Sequence, residues 1–267
     1  MSYPGPAEKS PMAERYEALR RKTLDVFYPQ ACRLCKAALD IDDRTEPLKQ
    51  WLCPACHRDL SPLVPPFCDN CGEPFEGAIT GSFTCMNCSG RRYAFDFAIS
   101  RYRAEGTLRE LIHSFKYGRD LALRGLLAQL LQEVLEDPRL VNEPLAEWLI
   151  VPVPLHRSRL RHRGFNQSAE ISGALSRLTG IPTAEALARV RHTDSQASLH
   201  RAERLENLRN AFALRRPWFG RIPDLKKRRI LLVDDVLTTG ATTHECAKVL
   251  KRVGGAEKVV VITVARG

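Results

Sequence analysis

Eight of the nine cysteines fall in four Cys-x-x-Cys pairs, Cys32/Cys35, Cys53/Cys56, Cys68/Cys71 and Cys85/Cys88, all within 57 residues. A two-residue gap lets a tight turn aim both thiolates at one metal ion, and two such knuckles complete a tetrahedral zinc shell. Four pairs therefore make two structural Zn²⁺ sites. The gaps of 17 and 13 residues inside the two halves favour pairing of neighbours, two zinc ribbons in series; the alternative is a cross-braced arrangement of first with third and second with fourth. The N-terminus carries Pro4, Pro6 and Pro11 but no hydrophobic region, and no run of 18 apolar residues occurs. The thiols are accordingly read as reduced ligands in a cytoplasmic protein with no membrane insertion. Four cysteinates leave each zinc site at about −2, so folding and domain contact are the expected roles of this module. Cys246, alone on an apolar helix face, reads as core.

Charge divides the chain at about the same place. Residues 1–90 carry 10 Lys and Arg against 12 Asp and Glu, whereas residues 91–267 carry 31 against 19, so the whole basic surplus of a +10 chain lies in the second part. A polyanion, either nucleic acid or a phosphorylated sugar, is the partner expected there. The organisation that follows is a tail and N-terminal helix over 1–28 with an apolar stripe from Met12 to Val26, a double zinc ribbon over 29–90, and an α/β domain over 91–267.

Within that last domain strands alternate with helices. Phe95 to Tyr102 reads as a strand, 106–117 and Leu121 to Leu135 as helices, and Trp148 to Val153 as a strand; further strands are read near Leu187 to Arg191, at Ile230 to Val233 and at Lys258 to Val264. The pattern predicts a mostly parallel sheet with helices on both faces and a ligand outside the carboxyl ends of the strands. Two stretches lie at such ends. After Val153 comes a loop with Arg157, Arg159, Arg161 and Arg163 and no acid, suited to a pyrophosphate or to nucleic-acid phosphates. After Val233 come Asp234 and Asp235, then Thr238, Thr239, Gly240, Ala241 and Thr242 opening a helix with Cys246, Val249, Leu250 and Val253 on one face.

Backbone N–H groups of that threonine turn converge at a helix N-terminus, which favours a phosphate, and the two carboxylates can accept from vicinal hydroxyls. A phosphorylated ribose fits both halves. Neither Gly-x-x-x-x-Gly-Lys nor Gly-x-Gly-x-x-Gly is present, which argues against a nucleoside triphosphate or a dinucleotide. The polar segment 192–210 reads as a lid, and Phe165, Trp218 and Phe219 are the few aromatics available to stack on bases.

The Arg229 to Thr243 stretch resembles the PRPP-binding motif of type I phosphoribosyltransferases. Taken with Phe27 to Cys35, Leu111 to Tyr117, Val151 to Arg157, Arg-Gly-Phe-Asn-Gln at 163–167, Gln196 to Arg204 and Ala211-Phe212, the chain from about residue 20 onward resembles the ComF family of competence proteins, also called ComFC or GntX. The resemblance implies a type I phosphoribosyltransferase fold with an N-terminal double zinc ribbon, PRPP with Mg²⁺ as ligand, and handling of single-stranded DNA during uptake, with a competence helicase or uptake protein as partner. By residue, it implies that Asp234 and Asp235 hold the ribose hydroxyls, that Thr238 to Thr242 hold the 5′-phosphate, that Arg157 and its neighbours face the pyrophosphate, and that Lys116 and Arg163 are additional PRPP contacts. Nucleobase salvage and a PRPP-sensing, non-catalytic DNA-binding module are the alternatives. The aromatic base platform that purine transferases commonly place beyond the last parallel strand is not expected here, where Ala265-Arg-Gly267 closes the sequence.

Overall fold

The computed structural model describes residues 31–39, 47–75, 77, 81, 83–191, 208–215 and 224–267. The N-terminal helix, most of the 192–210 lid, and Trp218 and Phe219 lie outside the described residues. The chain forms two compact units, one up to Arg58 and one from Asp59 to Gly267.

In the first unit the knuckle Cys32–Cys35 is a turn closed by the Cys32 N–H on Ala37 O at 2.8 Å, and a short helix, α1 (Pro54–Arg58), follows Cys53. Trp51 lies under the Arg33 guanidinium at 5.5 Å, and the Arg33 N–H donates to Trp51 O at 2.9 Å.

The second unit opens with the other cysteine tetrad and continues into the sheet. Its strands are β1 (Phe97–Arg103), β2 (Leu149–Pro152), β3 (Leu187–Arg189), β4 (Phe212–Leu214), β5 (Arg229–Leu237) and β6 (Lys258–Arg266). Four of them form one parallel sheet in the order β1-β6-β5-β2, and β3 and β4 form an antiparallel pair. Five further α-helices flank these strands among the described residues: α2 (Gly106–Tyr117), α3 (Leu123–Gln132), α4 (Arg157–Arg163), α5 (Gln167–Thr179) and α6 (Ala241–Arg252).

Strand alternation explains the layering. Ile230 and Leu232 of β5 and Val259 and Val261 of β6 cluster with Cys246, Ala247 and Leu250 of α6. Their neighbours Leu231, Val233, Val260 and Ile262 are fully buried too, on the opposite side of the pleat, where α3 and α5 pack against each other and the sheet. Both faces are covered, which is why these strands read as unbroken apolar runs.

Two local expectations change. β5 runs through the acid pair to Leu237, because Asp234 pairs with Thr263 and Val236 with Ala265, so the carboxylates stand inside the last pairs of the ladder. The arginine stretch expected as a loop is the two-turn helix α4: the His156 side chain accepts the Ser158 N–H at 3.3 Å, and Gly164, at φ 85°, ends it with its N–H on Leu160 O at 2.8 Å. Arginine is a good helix former, so once the ends are capped nothing in the charge pattern prevents it.

Candidate functional site: the β5–α6 junction

β5 delivers two carboxylates to the carboxyl edge of the sheet on alternate sides of the strand. Asp234 Oδ1 accepts from Ser168 Oγ at 2.9 Å and from the Asp235 N–H at 3.0 Å. Asp235, only 7 % exposed, accepts the Val236 N–H on Oδ1 at 3.0 Å, and its Oδ2 lies 2.5 Å from Lys116 Nζ. Burial, and after it the Asp235 charge, pushes the Asp234 carboxyl up to about 7, against the lowering pull of Ser168 and Lys116. Near neutrality this side chain can accept a hydrogen bond from a sugar hydroxyl or give one.

The turn beyond β5 is shaped for an anion. Gly240 takes φ 74°, and a Cβ there would stand 3.3 Å from a Tyr93 ring carbon, so both backbone and space call for glycine. Thr239 Oγ1 accepts the Ala241 N–H at 3.4 Å, Thr243 Oγ1 donates to Gly240 O at 3.1 Å, and Thr238 is exposed while Thr239 and Thr242 are half-buried. The first amides of α6 have no intrahelical acceptor and point out of the helix start.

Other residues singled out in the sequence reach this edge from neighbouring elements. Lys116, in the last turn of α2, meets Asp235 directly. Arg163 donates to Tyr117 Oη at 3.2 Å and lies 4.9 Å over that ring, and Arg119 donates to His162 O at 2.9 Å, so the ends of α2 and α4 are tied together next to Lys116. Arg157 is exposed in the first turn of α4, and among the described residues no hydrogen bond or ion pair joins it to the acids. Asn166 Nδ2 donates to Val153 O at 3.1 Å, which anchors the start of α5, and hence Ser168, to the end of β2.

Three contributors escaped sequence reasoning. Ser168 follows the Arg-Gly-Phe-Asn-Gln segment directly and could have been found by asking what a serine at a helix start faces. Tyr93, whose hydroxyl donates to Thr239 O at 3.2 Å, and Arg266, which donates to Leu237 O at 2.9 Å, carry no local signal.

The eight paired cysteines form two tetrads, Cys32/Cys35/Cys53/Cys56 and Cys68/Cys71/Cys85/Cys88, each with its sulfurs within 4.8 Å of one another. Neighbouring pairs combine, as the spacing favoured. The Cys35–Cys53 and Cys71–Cys85 sulfurs are 3.6 and 3.7 Å apart, close to the edge of about 3.8 Å that tetrahedral Zn–S bonds of about 2.3 Å require. Burial raises the Cys32 thiol, yet knuckle N–H groups outweigh it and bring it down to about 6. The donor set thus fits two structural zinc ions.

Comparison with known proteins agrees with this arrangement. A double zinc ribbon domain profile matches residues 23–89, and a phosphoribosyl transferase domain profile matches residues 166–267. Competence protein F of Haemophilus influenzae is 31 % identical over 241 residues, 90 % of this chain and 98 % of that protein. DNA utilization protein YhgH of Escherichia coli is 33 % identical over 231 residues, 85 % of this chain and 93 % of that one. Competence protein ComFC of Bacillus subtilis is 25 % identical over 255 residues, 88 % of this chain and 94 % of that one. Among the described residues no helix is long and apolar enough to cross a membrane.

Proposed function

We propose, because the chain belongs to the family of competence protein F, ComFC and the DNA utilization protein YhgH, that it binds PRPP at the β5–α6 junction and acts with single-stranded DNA in the cytoplasm. One observation carries the reading: two adjacent buried-edge carboxylates, one held by Ser168 and the other by Lys116, stand directly before a Gly240-centred turn that opens α6. The ribose hydroxyls are placed on Asp234 and Asp235, and the 5′-phosphate on the amides and hydroxyls of Thr238 to Thr242. Lys116 is then released from Asp235 to the pyrophosphate, with Arg163 behind it and Arg157 at the mouth. Mg²⁺, when bound with PRPP, would neutralise the leaving pyrophosphate. The chain's own part is to hold the sugar so that the C1–pyrophosphate bond is exposed to an acceptor, a matter of positioning and electrostatics. The basic surplus of the second domain supplies the attraction for a nucleic acid.

The test is pyrophosphate release from PRPP and Mg²⁺, alone, with single-stranded DNA or with free bases, against an Asp234→Ala/Asp235→Ala blank. Release stimulated by DNA is the expected result. Release stimulated only by a free base would move the assignment to salvage, and PRPP binding without release would leave a sensing module.

A further inference from the structure

The junction is not supported by the sheet alone. Arg266, at the end of β6, is only 5 % exposed, and a buried guanidinium is costly unless its donors are used. It donates to Leu237 O at 2.9 Å, Thr238 O at 2.5 Å and Gly267 O at 2.6 Å, and its other arm meets the Glu73 carboxylate. Glu73 belongs to the Cys68–Cys71 knuckle of the second tetrad: it lies two residues after Cys71, and its carbonyl accepts the Cys68 N–H at 2.8 Å. Tyr93 makes a parallel connection. It packs against the cluster formed by Cys68, Cys71 and Cys88, its ring stacks on Phe95 at 4.7 Å and abuts Gly240, and its hydroxyl donates to Thr239 O at 3.2 Å.

Three successive carbonyls of the turn, those of Leu237, Thr238 and Thr239, are therefore held by two side chains, Arg266 tied to the second tetrad through Glu73 and Tyr93 packed against it. A trans peptide is planar, with its N–H opposite its C=O. Holding those oxygens turns the N–H groups of Thr238, Thr239 and Gly240 away from Arg266 and Tyr93, which is the orientation a bound phosphate needs.

We propose that Arg266 and Tyr93 are positioning residues that fasten the 237–242 turn to the second cysteine tetrad, so that the zinc held there sets the conformation of the anion-binding turn. The ligand in this statement rests on the PRPP reading above; the coupling between tetrad and turn does not. By linkage, if the metal favours the ligand-ready turn, the ligand raises the affinity for that metal by the same factor, and slower release of zinc to a chelator is its readout.

The experiment is amide hydrogen exchange on the full-length zinc-loaded protein, comparing wild type, Tyr93→Phe, Glu73→Gln and Cys88→Ser. Tyr93→Phe removes one connection and Glu73→Gln strips the charge from the other, neither touching a metal ligand, so they decide the question even where Cys88→Ser fails to fold. Expected is exchange at 237–242 roughly tenfold faster in each mild variant, with two zinc ions retained and interior amides of β5 and β6 unchanged. Unchanged exchange at the turn, or a rise spread evenly through β5 and β6, would overturn the proposal. In parallel, transfer of the second zinc to a chromophoric chelator is timed with and without PRPP, and PRPP affinity is titrated in wild type and Tyr93→Phe. Slower transfer with PRPP and weaker binding by Tyr93→Phe are expected. Wild type that binds no PRPP sinks the ligand assignment and leaves the exchange result to judge the coupling. Binding that is equal in both proteins, with zinc transfer indifferent to PRPP, sinks the coupling itself.

Discussion

The two cysteine tetrads share ligand chemistry and the Cys-x-x-Cys form of their pairs but differ in what they are built into. The first stands among turns and α1, with the Trp51–Arg33 stack as its main described contact. The second is continuous with the sheet: the Ala98 N–H of β1 donates to Asn70 O at 3.0 Å, and Arg139 reaches from beyond α3 to Asp69 O at 3.2 Å while lying 4.3 Å over the Phe97 ring. Among the described residues, then, the neighbours of the knuckles and not the motif itself distinguish the two sites.

The strongest way to break that comparison is Cys88→Ser. Losing a structural metal whose ligand is buried should lower zinc from two ions to one per chain, destabilise the second unit by several kcal/mol, and expose β1 amides to exchange. If Cys35→Ser, which also costs one zinc, gave an equal response in β1, the distinction between the tetrads would disappear.

Next in size is a pH effect that separates the acid pair from the zinc thiolates. The Asp234 carboxyl keeps its proton to about 7 in the fold, while its ordinary value is 3.8, so the native state binds more protons across that window. Its contribution is therefore fully present below 3.8, lost as pH rises through about 7, and level above that. Asp234→Asn abolishes this loss, so its melting temperature should gain on wild type as pH rises from 4 to 7.5. Zinc sites act in the opposite sense, because acid protonates their thiolates. A variant that gains nothing over this range would mean that the carboxyl is ionised throughout.

Gly72→Ala sharpens the comparison more locally. Gly72 has φ 67°, and an added Cβ would stand 3.0 Å from Ala98 O, where the knuckle meets β1. The substitution should cost about 1–3 kcal/mol in urea unfolding with both zinc ions kept. An unchanged midpoint would show that the contact with β1 is loose. The smallest difference is expected between Arg139→Ala and Arg33→Ala. Arg139 gives up a bidentate pair with Asp137 together with its contacts to Asp69 and Phe97, for about 1–2 kcal/mol; Arg33 gives up a ring contact worth about 0.5–1 kcal/mol. Equal costs would deny the second tetrad its extra anchoring.

Most of the architecture could be read from order and spacing. Helix 106–117 appears with the expected bounds, the strands near 149, 187, 230 and 258 are present, and the thiols pair by neighbours, because each of these depends on residues close in sequence. The acid pair and the threonine turn are likewise adjacent and were found together. What stayed hidden depends on distant partners. The Lys116–Asp235 contact requires α2 and β5 to meet, and the Arg266–Glu73 connection spans 193 residues. The α4 helix was missed for another reason: a run of arginines states a charge but no period, and only the caps at His156 and Gly164 reveal a helix.

The strand order has a kinetic consequence. β1 pairs with β6, and the Ser100–Thr263 contact between them closes a loop of 163 residues. Ribosomes add roughly 5–20 residues per second, so β1 waits on the order of ten seconds or more for its neighbour, with its backbone open to wrong partners. Its other edge need not wait. Leu63 donates to Arg101 O and Arg103 donates to Ser61 O, both at 2.8 Å, from a segment synthesised earlier. The residues just before and within the second ribbon can therefore shield one side of the nascent strand against aggregation, a chaperone-like service performed before the sheet exists.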